Sequence, residues 1–132
     1  MQRPNRVFVV DDEKLAREGI SLTLRKDYRV EAFSSAEAAI ESMLSNPPDM
    51  VLLDVGLPCM SGIQALDNIK QIHPGVIIIM ITAFKDVNTA AAAMKLGAHD
   101  YIVKQLQIDA LLKTMRNAFD AISKSIDRKS VV

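Results

Sequence analysis

Only one cysteine, Cys59, stands among the 132 residues. Without a second thiol there is no internal disulfide framework, and a reducing compartment suits such a chain. Net charge is missing as well: 16 Lys and Arg balance 16 Asp and Glu. No basic field is available to attract nucleic acid or a membrane surface, so neither is expected as a direct partner. Long hydrophobic runs are absent. The longest, VIIIMI, is far short of the roughly 20 residues a membrane-spanning helix needs. The opening MQRPNR has no apolar signal segment, and the expected location is the cytoplasm. Neither His73 nor His99 has metal-ligand spacing around it. Cys59 has no partner base that would make it a nucleophile.

What is present is a chain 49% hydrophobic, long enough for one domain with a real core. Five short apolar runs rich in β-branched or aromatic residues have strand length: residues 6–10, 28–33, 50–54, 76–82 and 101–104. Helical spacing fills the intervals at 13–25, 35–45, 62–72 and 86–96. A last helix places Ile108, Leu111, Leu112, Met115, Phe119 and Ile122 on one face. Breakers at Pro47-Pro48, Gly56-Leu57-Pro58, Pro74-Gly75 and Gly97 separate the elements. Strands alternating with helices predict a parallel sheet covered on both faces. Right-handed crossovers then favour a flavodoxin-like, doubly wound α/β fold of five strands in the order 2-1-3-4-5, with five helices. The domain is expected over residues 5–122, with 123–132 a polar tail or the start of a linker.

In a parallel sheet all strand C-termini share one rim. Asp11 and Asp12 follow the first strand, Asp54 the third, Thr82 the fourth and Lys104 the fifth. Strands 1 and 3 are neighbours at the switch point of that order, where such sheets bind ligands. Three carboxylates in one crevice repel, and each raises the pKa of the others. A hard divalent cation such as Mg²⁺ relieves this, taking carboxylate, water and phosphate oxygens. Lys104 as a point charge and Thr82 as a hydroxyl donor complete a set suited to a phosphoryl group. Asp54 heads the turn VGLPCMSG, where Gly56 and Gly62 are expected to let backbone approach a ligand. Its carboxylate can attack phosphorus, while Asp11 and Asp12 are better placed to hold the metal. Each residue alone has a plainer reading: an aspartate as helix N-cap, Asp54 in a turn, Thr82 at a strand end, Lys104 on the surface, Tyr101 in packing.

Taken in order, VVDDEK, LLDVGLPCMSG, MITA and GAHDYIVK resemble the receiver domain of two-component response regulators. The resemblance covers about residues 5–122. It implies Asp54 as the phosphoacceptor, with Asp11, Asp12, Asp54 and the Gly56 backbone carbonyl on Mg²⁺. It implies Thr82 and Lys104 as phosphoryl ligands and Tyr101 as the aromatic that turns on activation. Gly56 and Phe84 match positions that tune the lifetime of the phosphate. A sensor histidine kinase is the implied donor. The surface of the fourth helix, fifth strand and fifth helix is implied to control an output domain or target, or to form a homodimer. The stretch from 81 to 104 looks closest to receivers of the nitrogen-regulator type, which act at sigma-54 promoters. One departure is Gln105, where receivers usually carry a cis-proline; the Lys104–Gln105 bond is expected to be trans. Gln105 motivates the alternative of a pseudo-receiver that binds partners without phosphorylation. A haloacid-dehalogenase-type phosphatase would need Asp-x-Asp after strand 1, and an FMN-binding flavodoxin a hydroxyl-rich phosphate loop. VVDDEK provides neither.

Overall fold

Each apolar run becomes a strand, and where it is buried explains its composition. A computed structural model describes residues 5–83, 87–104 and 108–130, with the backbone alone for 123–130. In chain order the elements are β1 (Arg6–Val10), α1 (Lys14–Leu24), β2 (Arg29–Phe33), α2 (Ala36–Met43), β3 (Met50–Asp54), α3 (Gly62–Ile72), β4 (Ile77–Thr82), α4 (Val87–Lys95), β5 (Asp100–Val103) and α5 (Ile108–Ser130). All four strand pairings are parallel, and the sheet order is β2-β1-β3-β4-β5, as expected from the sequence.

The sheet separates two apolar layers, because successive side chains on a strand point to opposite faces. Phe8, Val10, Val51, Leu53, Ile78 and Met80 face α2, α3 and α4. Val7, Val9, Leu52, Ile79 and Ile81 face α1 and α5, meeting Leu24, Leu111 and Met115. β3 and β4 are buried along their whole length, which is why their sequences do not alternate. The edge strand β2 exposes Arg29 and Glu31, charges that discourage pairing with another chain.

Element ends differ from the sequence reading by small amounts. β5 stops at Val103, paired with Thr82, so Lys104 lies just beyond the strand. α5 runs 23 residues to Ser130, past Ile122. The apolar stripe fades there, but no glycine or proline interrupts the helix.

The loop from β3 to α3 is held by the core, through buried Leu57, and by backbone hydrogen bonds. Val55 N–H donates to the Ile81 carbonyl at 2.9 Å, and Gly62 N–H to the Val55 carbonyl at 3.0 Å. Ser61 caps α3 in a capping box with Gln64. Cys59 holds the loop's bend at φ 63°, a left-handed conformation that costs a residue with a Cβ about 1–2 kcal/mol. Gly62 is required for a different reason than ligand access. A Cβ there would lie 2.2 Å from the Asp54 carbonyl oxygen and 2.6 Å from Val55 Cα. The first turn of α3 is seated directly on the end of β3, and that contact fixes where Asp54 points.

Gly62→Ala is therefore expected to lose on the order of 3 kcal/mol, because the obstructing atoms are backbone and cannot swing aside. Urea denaturation checks this; a loss under about 1 kcal/mol would mean that α3 can lift off β3 cheaply.

Candidate functional site

The central strands set the site through their register. Val10 pairs with Leu53, so the next residues, Asp11 and Asp54, stand side by side at the C-terminal rim. β4 continues the row, with Ile81 opposite Asp54. Carboxylate oxygens of Asp11, Asp12 and Asp54 all lie within 4.8 Å of one another. Asp11 and Asp54 are 2% and 5% exposed, whereas Asp12 faces solvent.

Each polar group of Asp11 has a partner. Its N–H donates to the Phe33 carbonyl at 3.1 Å. Its Oδ1 accepts from Glu13 N–H at 2.9 Å, and its carbonyl accepts from Arg17 Nη1 at 2.8 Å. Its Oδ2 meets Lys104 Nζ at 3.0 Å. The same ammonium lies 3.5 Å from Asp54 Oδ2, while Asp54 Oδ1 accepts from Gly56 N–H at 3.1 Å. Lys104 is anchored by its own N–H, which donates to the carbonyl of Thr82. Lys104 thus reaches both buried carboxylates from a position one residue past β5.

Burial pushes the Asp54 carboxyl above the ordinary carboxylate range. The Gly56 N–H opposes that shift, Asp11 adds to it, Lys104 opposes it and Asp12 adds again. For Lys104 burial acts to lower the pKa, but the bonds and attraction of Asp11 and Asp54 outweigh it and leave the ammonium raised. One ammonium bridges two of the three carboxylates, so negative charge remains in excess in the cluster. All the crowded donors are hard oxygens, and this donor set fits a divalent cation of the Mg²⁺ kind.

Thr82 is buried at the end of β4, next to this group. Tyr101 lies on β5 opposite Met80, partly buried against the layer that faces α2, α3 and α4. The sequence-derived candidates Asp11, Asp12, Asp54 and Lys104 are brought together, and Gly56 touches Asp54. Phe84 and Gln105 lie outside the described residues, and so does the Lys104–Gln105 peptide bond. Arg17 is the contributor that the sequence reading does not single out. The signal was a cation one helical turn after Glu13, close enough to reach back over the acidic turn.

The raised Asp54 pKa carries a sign for stability. A carboxyl whose folded pKa exceeds its unfolded value loses stability as pH rises between the two, so the ionised form at neutral pH is destabilising. In EDTA at pH 7.5, Asp54→Asn is expected to be more stable than the wild type by about 1 kcal/mol. That gain should shrink once pH falls below the ordinary carboxylate range. Thermal melts at pH 7.5 and pH 3.5 check this; a gain of equal size at both would assign the effect to something other than charge.

Residues 7–116 match the sequence pattern of the response regulator receiver domain. The luminescence regulatory protein LuxO of Vibrio campbellii is 41% identical over 86 residues, which is 65% of this chain and 19% of that protein. The transcriptional regulatory protein ZraR of Escherichia coli is 35% identical over 125 residues, 94% of this chain and 28% of that protein. The crystal structure of NtrX from Brucella abortus superposes with a TM-score of 0.91 at 26% identity, covering 98% of this chain and 30% of that one. The chain thus spans less than a third of the length of these relatives. With a family pattern across most of its length, a 2-1-3-4-5 sheet and an acidic crevice at the switch point, the chain belongs to the response regulator receiver domains, the phosphorylation-controlled switches of two-component signalling.

Proposed function

We propose that Asp54 is the phosphoacceptor. A sensor histidine kinase presents its phosphohistidine; an Asp54 carboxylate oxygen forms the new bond to phosphorus. The phosphorus–nitrogen bond breaks, and the imidazole leaves with the electron pair. Asp11, Asp12, Asp54 and the Gly56 carbonyl would hold Mg²⁺, which supplies charge neutralisation for the crowded carboxylates and the incoming phosphoryl oxygens. Lys104 already contacts Asp54 and turns its ammonium to a phosphoryl oxygen; the Thr82 hydroxyl donates to another. The observation that carries this reading is the 4.8 Å cluster of three carboxylates with Lys104 at its edge.

The pull on Thr82 and Lys104 is transmitted to the loop after β4, giving Tyr101 room to turn inward. The effect is a population shift between two states of the α4–β5–α5 face. Val87, Met94 and Val103 are exposed there, apolar surface that suits an output domain, a target or a second copy. Beside α1, an open groove of about 780 Å³ is lined by Leu15, Ile20, Lys104 and Ile108 among others and reaches Val103 at the edge of that face. Leu15 is 79% exposed, and this side suits the approach of the kinase. Residues 123–132 would lead from the receiver domain over 5–122 toward an output domain. Phe84 and Gly56 tune how long the phosphate lasts. We place the domain in the cytoplasm with its kinase partner; among the described residues no helix is long and apolar enough to cross a membrane. The relatives ZraR and NtrX support a regulator of the nitrogen-regulator, sigma-54 type, acting on transcription.

Incubation with acetyl phosphate and Mg²⁺ should add the mass of one phosphoryl group to the intact wild type and none to Asp54→Ala. An unmodified wild type, even with a cognate kinase, would contradict the proposal. Modification of Asp54→Ala would move the acceptor elsewhere.

A further inference from the structure

The turn between β1 and α1 carries Asp11, Asp12 and Glu13 in succession, and like charges in sequence push such a turn apart. The ordinary restraint is missing: Glu13 occupies the N-cap of α1 with no side-chain cap bond. On one side the Asp11 N–H is held by the Phe33 carbonyl of β2 at 3.1 Å, but β3 offers the Asp11 carbonyl no donor. The Val55 N–H that follows β3 is committed to the Ile81 carbonyl. What meets the Asp11 carbonyl instead is the Arg17 guanidinium, at 2.8 Å.

Arg17 is well placed to hold it. Its own N–H donates to the Glu13 carbonyl at 3.0 Å, and its carbonyl accepts from Ser21 Oγ at 2.7 Å. The backbone of Arg17 is thereby fixed in α1 while its side chain reaches back one turn. Together with the Glu13 N–H on Asp11 Oδ1, this holds Asp11 at its main-chain carbonyl and at its carboxylate. Asp12, the next residue, is exposed and has only this turn to direct it toward Asp11 and Asp54.

We propose that Arg17 is a positioning residue for the acidic pair: its guanidinium, bound to the Asp11 carbonyl, holds the β1–α1 turn so that the carboxylates of Asp11 and Asp12 converge on Asp54. The proposal rests on the reading of this cluster as a Mg²⁺ site. Two accounts of Arg17 differ in sign. If the guanidinium acted only through its charge, removing a cation near the site would tighten Mg²⁺ binding. If it positions the turn, removing it weakens binding, as happens when groups that orient metal ligands are lost.

The test is calorimetric titration of Mg²⁺ into wild type, Arg17→Met and Arg17→Lys, with melts of each in EDTA. Arg17→Met keeps the apolar stem and is expected to bind Mg²⁺ about tenfold more weakly. Arg17→Lys keeps a donor for the carbonyl and should recover part of that loss. Should the Met variant be too unstable to titrate, Arg17→Gln carries the same expected direction. An affinity that is unchanged or tighter, with only the melting temperature lowered, would make Arg17 a structural residue and overturn the proposal. Failure of the wild type to bind Mg²⁺ would instead overturn the metal-site reading, and the role of Arg17 with it.

Discussion

The structure turns on a repulsion that the sheet enforces. Pairing Val10 with Leu53 sets Asp11 beside Asp54, and no side-chain rearrangement alone can separate two residues placed by strand register. Both are buried, which strengthens every charge effect between them. A single ammonium, Lys104 Nζ, spans the two at 3.0 and 3.5 Å and leaves the cluster short of positive charge. A site in this condition favours whatever brings cations to it or draws the ammonium to a new partner.

The rest of the fold holds the charges in place. The two apolar layers make the central strands rigid, since β3 and β4 are covered on both faces. At the rim, support passes to the backbone: Gly62 against the Asp54 carbonyl, Gly56 N–H on Asp54 Oδ1, Glu13 N–H on Asp11 Oδ1 and Lys104 N–H on Thr82. These contacts are short in range and few in number. A change of charge at the rim is therefore felt first by these contacts rather than by the apolar layers.

Much of this was legible in the sequence. Non-alternating runs such as MVLLD and VIIIMI have one comfortable home, a strand buried on both faces, and from their alternation with helices the strand order followed. Placing Asp11, Asp54 and Lys104 at strand ends then brought them to one rim. The features that escaped depend on reach and contact rather than on pattern. Lys104 was read as the last residue of the fifth strand, but pairing ends at Val103 opposite Thr82. Gly62 was read as room for a ligand, yet the atoms it avoids belong to Asp54 and Val55. Arg17 was not singled out: its place one turn after Glu13 puts it within reach of the acidic turn, but spacing does not say which carbonyl its guanidinium meets. The apolar stripe of the last helix ends at Ile122, but the backbone continues to Ser130 because residues that sustain a helix follow.

The central claim is that Asp11, Asp12 and Asp54 form a cation site under electrostatic tension, and its most direct measurement is the melting temperature of wild type and Asp12→Ala with and without Mg²⁺. In EDTA the variant should melt higher, because one of three crowded carboxylates is gone. With Mg²⁺ at about ten times its Kd for the wild type, the wild type should gain about 1.4 kcal/mol and the variant clearly less, closing or reversing the gap. Equal gains in the two proteins would contradict the account.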